Sequence, residues 1–106
     1  MPKWYDLAEK SLEGEDEIQK SYHGKFNGEG GYLMLSDEKL LFVKEEGFLR
    51  KNYELIQEMP YDKIGKIAHD DRYTMELTDV EGEKYEFETY TIPVKIIEDS
   101  LRELKE

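Results

Sequence analysis

At 106 residues the chain fits one packed domain and leaves no room for a second core. Its 26 acidic and 15 basic side chains give a formal net charge of -11, which repels nucleic acid and anionic membranes at long range, and no basic cluster in the linear sequence overcomes that field. The absence of cysteine excludes disulfides, thiol catalysis and cysteine-ligated zinc.

The opening stretch MPKWYDLAEK lacks an apolar run of signal-peptide length, and nowhere does the chain approach the ~20 apolar residues of a membrane span. A soluble, cytoplasmic protein is therefore expected. Trp4, Leu7, Ala8 and Leu12 recur at spacings of three and four, which predicts a short amphipathic helix over 3–12. Gly14 and the run Glu15-Asp16-Glu17 end that pattern, so residues 1–17 read as a helix and acidic link and residues 18–106 as the domain proper.

From Ile18 the period becomes two. Ile18, Lys20, Tyr22, Gly24 and Phe26 share one face of a first strand, and NGEGG at 27–31 supplies the turn into a second. Leu33 and Leu35 face inward there. After the polar turn Ser36-Asp37-Glu38, Leu40 and Phe42 continue that face on a third strand, with Leu41 and Val43 opposite. Tyr53, Leu55, Gln57 and Met59 alternate as a fourth strand ended by Pro60. Further strands are expected around Ile64–His69, over Tyr73, Met75 and Leu77, which alternate with Thr74, Glu76 and Thr78, and, after the turn in DVEGE, around Tyr85 and Phe87. Val94, Ile97, Leu101 and Leu104 then form the apolar stripe of a C-terminal helix, with Thr91 as its cap and Pro93 in its first turn.

Seven short antiparallel strands and one amphipathic helix give a mainly β fold, a barrel or sandwich whose open end the helix closes. Four pieces in this order resemble the pleckstrin-homology-like (PH-like) superfold, and within it GRAM and bacterial or archaeal PH-like domains. These are GYLMLSDEKLLFV, MPYDKIGKI, YTMELTDVEGEKYEFET and the terminal helix, across 18–105. The resemblance implies a seven-stranded antiparallel barrel capped by a C-terminal helix, with the short N-terminal helix as an addition. It also implies phosphoinositide binding through Lys and Arg on and beside the first two strands. Here that region offers only Lys20, Lys25 and His23 against Glu29 and the acidic link, so lipid binding is disfavoured on charge.

No arrangement of residues points to catalysis. Asp70-Asp71, Glu15-Asp16-Glu17 and Glu45-Glu46 fall in turns or links and read as solvated charge. His69 beside Asp70 and Asp71 lacks metal-ligand spacing, and Ser21, Ser36 and Ser100 lack a nucleophile elbow. NGEGGY lacks the helix and lysine of a phosphate loop. No cofactor and no metal are expected.

Two features remain for function. Phe48 and Leu49 are consecutive large apolar residues in a loop, followed by Arg50 and Lys51, and Trp4 is the sole tryptophan, on a helix too short to stand alone. Trp4, Phe48, Leu49, Arg50 and Lys51 are the candidate partner-binding residues. The reading is a non-enzymatic binding or adaptor module for a protein partner or for self-association, without nucleic acid. A membrane or lipid-targeting domain is the alternative, disfavoured by charge, and a small-molecule-binding barrel is a second.

Overall fold

The computed structural model describes residues 2–106. Helix α1 (Lys3–Glu9) precedes seven strands, β1 (Ile18–Phe26), β2 (Glu29–Ser36), β3 (Lys39–Glu46), β4 (Asn52–Pro60), β5 (Ile64–His69), β6 (Thr74–Asp79) and β7 (Lys84–Thr89); helix α2 (Val94–Lys105) comes last. All pairings are antiparallel, in one sheet of order β4-β3-β2-β1-β7-β6-β5. The expected mainly β architecture with a helix at each end is the one observed.

The sheet curls around one core. Phe26, Leu33, Leu35, Leu40, Phe42, Met59, Ile64, Ile67, Met75, Leu77 and Phe87 come from all seven strands, and all pack with Val94, Ile97 and Leu101 of α2. The α2 stripe therefore closes the interior as its spacing predicts, with Leu104 half-buried at its end. Its start differs from expectation: Pro93 occupies the N-cap position and no side chain caps the helix. The Val94 N–H donates instead to the Arg72 carbonyl at 2.8 Å, so the loop before β6 takes the role expected of Thr91.

The hairpin between β1 and β2 turns on Asn27 and Gly28 alone, both with positive φ (50° and 83°), the signature of a type I′ turn that matches strand twist. Asn27 exchanges two hydrogen bonds with the Glu86 backbone, each 2.8 Å, which ties this turn to β7. Gly24 and Gly31 lie opposite each other on β1 and β2. A Cβ on either would run into backbone of the neighbouring strand and into a phenylalanine ring, Phe87 for Gly24 and Phe42 for Gly31. The missing side chains are what let those rings fill the bend.

A second, smaller core lies on the outer face. Ala8, Met34, Leu41 and Val43 are fully buried there, with Trp4, Leu7, Leu12, Ile18, Tyr32, Tyr53 and Leu55 packed around them. Strands β2 and β3 are thus covered on both sides, which accounts for their near-continuous apolar runs. A seven-residue helix is unstable alone, so α1 owes its helicity to this contact.

Two bulges divide strands between the cores. The pairing of β4 with β3 slips between Phe42 and Val43, leaving Ile56 as the extra residue: Gln57 and Met59 lie opposite Phe42 and Leu40, whereas Leu55 and Tyr53 lie opposite Val43 and Glu45 on the outer face. The expected single alternating face over Tyr53–Met59 is corrected accordingly. A similar slip at Gln19 sends Ile18 to the outer core while Tyr22 and Phe26 face the inner one.

Candidate binding surface

The acidic residues expected to be plain solvated charge are partly structural. Asp16 accepts hydrogen bonds from the buried Ser36 hydroxyl (2.9 Å) and the Glu38 N–H (3.2 Å). Asp37 accepts from the Glu17 N–H (3.1 Å) and from Nε2 of Gln19 (2.9 Å). The link 13–17 is therefore fastened to the β2–β3 turn. Beneath it, Tyr61 donates its hydroxyl proton to the Ser36 carbonyl at 2.5 Å, and burial pushes that hydroxyl well above the usual tyrosine range.

His69 turns to α2 and away from Asp70 and Asp71. Its Nδ1 lies 2.8 Å from Oε2 of Glu98, and because a carboxylate only accepts, the ring nitrogen carries the proton. Arg102 donates from Nη2 both to Glu98 (3.2 Å) and to the Ile67 carbonyl (2.9 Å). Burial raises the Glu98 carboxyl, but hydrogen bonds and charge from His69 and Arg102 outweigh it and hold the group below its usual range. This network clamps α2 to β5. No grouping of three metal-ligating side chains occurs among the described residues.

The region that lipid-binding relatives would use does not assemble a cationic site. Lys20 and Lys25 stand five residues apart with no bulge between them, so they point to opposite faces of β1. Glu29 is paired with Lys44 at 3.3 Å. His23 lies between two aromatic rings, stacked on Tyr32 (4.6 Å between centroids) and edge-on to Tyr90 (4.7 Å).

Trp4 belongs to the same aromatic row, parallel to Tyr32 with centroids 4.0 Å apart and planes within 8°. Its half-buried ring is thus spent on seating α1. Phe48 and Leu49, by contrast, are 90% and 92% exposed, the two most exposed large apolar side chains among the described residues. They sit at the tip of the five-residue connection between β3 and β4. Gly47 there has φ 101°, and a Cβ on it would lie 2.0 Å from the Arg50 carbonyl oxygen. The loop is folded tightly onto itself, and glycine is what permits it.

Docking of α1 brings distant cations to this loop. Lys3, Lys10 and Lys51 line an open groove of about 360 Å³ with Leu7, Asn52 and Tyr53. A cleft of about 720 Å³ lined by Lys3, Leu49, Arg50 and Lys51 shares its residues 51–53 with that groove. The linear sequence shows no basic cluster because α1 and the loop are some forty positions apart. Lys51 is paired with Glu45 at 3.4 Å, whereas Lys3, Lys10 and Arg50 make no ion pair among the described residues. Burial, then Glu45, push up the hydroxyl of Tyr53, which lines the groove, and that of Tyr32 beneath α1. Of the five expected partner-binding residues, four lie on the loop, and Trp4 lies on the inner side of α1, whose ends carry Lys3 and Lys10.

The curled seven-stranded sheet with its helical cap defines a PH-like domain. The sequence model for a family described as bacterial PH domain matches residues 12–106, and the chain belongs to that family. The match begins after α1. A crystal structure of the C-terminal domain of an unknown protein from Leishmania infantum shares the fold, with TM-score 0.66 and 14% identity over 95% of this chain and 90% of that one. No curated protein matches the chain. No described helix is long and apolar enough to cross a membrane.

Proposed function

We propose that the chain is a non-enzymatic binding module that engages a protein partner through the β3–β4 loop, with Phe48 and Leu49 as anchors and Arg50 and Lys51 as flanking charge. The observation that carries this reading is the near-complete exposure of two adjacent large apolar residues, well beyond the next most exposed, Val80 at 57%. Family membership supports a binding role and leaves the partner open.

Other routes to a partner are blunted. Both free sheet edges carry a bulge, at Ile56 on β4 and at Gly65 on β5, and β4 adds Glu54, Glu58 and Pro60, so neither is a flat template for an added strand. The groove between α2 and the sheet is filled by Val94, Ile97 and Leu101. Symmetric self-association through the loop would set Arg50, Lys51 and Lys3 against their own copies, which favours a different chain as partner.

The test replaces Phe48 by a photo-crosslinking phenylalanine analogue in the producing cells. A discrete protein adduct, lost when Leu49→Ser is added, supports the reading. Adducts to lipid alone would transfer the tip to a membrane surface. Because both residues are exposed, the double variant F48S/L49S should melt within a few degrees of the parent, since surface substitutions stay within about 0.5 kcal/mol.

A further inference from the structure

We infer that the groove between α1 and the start of β4 seats an acidic segment of the partner, one that alternates carboxylates with large apolar residues. This rests on the loop tip being the docking point and adds the chemistry beside it. On a chain of net charge -11, four of the 15 basic residues, Lys3, Lys10, Arg50 and Lys51, line two connected clefts. Asp6 is the one carboxylate in that lining, and Glu45 is spent on Lys51. Three of the cations lack an intramolecular counter-ion among the described residues, although carboxylates are abundant elsewhere on the surface.

Shape selects the class of occupant. Leu7 and Tyr53 supply a small apolar floor to an open, mainly polar groove, and Tyr53 also lines the adjoining cleft that Leu49 borders. A polypeptide segment can place an apolar side chain on that floor while its carboxylates meet the lysines on either side. A flat bilayer reaches the convex tip but not the floor. A second copy paired groove to groove would bring cations onto cations. Carboxylates of the segment would meet cations without an ion pair at Lys3, Lys10 and Arg50, so the patch sets both affinity and register.

The experiment selects short random displayed peptides on the full chain and measures binders by calorimetry at low and high salt. We expect binders enriched in Asp and Glu with a large apolar residue, binding that weakens with salt, and a loss of roughly tenfold or more in the triple variant K3E/K10E/K51E. K3Q/K10Q/K51Q repeats the measurement with less perturbation of α1, with circular dichroism checking the helix. Failure to select binders, binders without acidic enrichment, or affinity unchanged in both lysine variants would overturn the inference. If such binders are lost in F48S/L49S but not in the lysine variants, the loop reading survives and the groove falls. Indifference to all variants fells both. Sedimentation with phosphatidylserine–phosphatidylcholine vesicles that the lysine variants abolish would reassign the patch to a membrane surface and likewise overturn the peptide.

Discussion

Replacing Gly24 by alanine tests the packing that shapes the sheet. A Cβ there would lie 2.3 Å from the Glu88 carbonyl oxygen and 2.6 Å from Cζ of Phe87. Comfortable contact needs ~3.5 Å, so β7 or the Phe87 ring must withdraw by about 1 Å. The ring is fully buried and packs edge-on to Phe42, 6.3 Å between centroids, and the carbonyl belongs to the short seam of three residue pairs between β1 and β7. Neither can give way freely. Overpacking a core costs about 1–3 kcal/mol, and because one obstacle is backbone we expect the upper end. That is a sizeable share of the roughly 5–15 kcal/mol that stabilises a domain of this size. At roughly 4–8 °C per kcal/mol, Tm should fall by about 12–24 °C. Gly28→Ala is the control: its φ is 83° and nothing lies within 4 Å of the added carbon, so only backbone strain of about 1–2 kcal/mol is expected. Urea unfolding of both variants, followed by circular dichroism, decides the matter. A Gly24→Ala loss no greater than that of Gly28→Ala would refute the account of the bend.

Trp4→Ala should release α1 without unfolding the barrel, because the outer core is separate from the inner one. Hydrogen exchange should show protection lost over α1 and retained in β6 and β7, with about 2 kcal/mol lost locally, less than for a fully buried tryptophan. The depressed Glu98 carboxyl contributes stability that is complete above the ordinary carboxylate pKa and is lost as pH falls through the lower folded value. Glu98→Gln should therefore be less stable at neutral pH and show a shallower acid limb in urea midpoints measured down to pH 2. Tyr85 is pushed up to about 12 by burial and by Glu83 and Asp79, and Tyr61 is raised by burial. Stability that these hydroxyls supply is intact below the ordinary tyrosine value of about 10 and is lost as pH rises through the folded values. Tyr61→Phe, which cannot ionise, should start less stable for want of its bond to Ser36 yet lose less between pH 10 and 12.

Periodicity made the inner core readable. Leu33, Leu35, Leu40, Phe42, Met75, Leu77, Phe87, Val94, Ile97 and Leu101 all lie where alternation or helical spacing places them. It failed where the backbone adds a residue, at Gln19 and Ile56, since a bulge reverses the facing of the residues beyond it without changing the pattern of residue types. Thr91 misled because a backbone carbonyl from a distant loop can satisfy a helix start as well as a hydroxyl. Phe48 and Leu49 were legible as an oddity of composition. The cations beside them were not, because Lys3 and Lys10 reach Lys51 only through docking of α1, and nothing local in MPKWYDLAEK announces where that helix lands.

That landing site links fold to function. Without α1, Met34, Leu41 and Val43 would present an apolar outer face to solvent, and the loop would carry Arg50 and Lys51 with Glu45 and Glu46 as immediate neighbours. With it, the face is covered and two further lysines stand across from the start of β4. One helix thus removes a large nonspecific apolar surface and replaces it with a small charged groove beside two apolar residues. In the proposed recognition Trp4 acts through position: its ring stacks on Tyr32 and seats the helix beside which Lys3 and Lys10 stand. Partner affinity should accordingly fall in Trp4→Ala even though the ring itself is turned inward, and the loss should vanish if α1 is held in place by an engineered crosslink to β4.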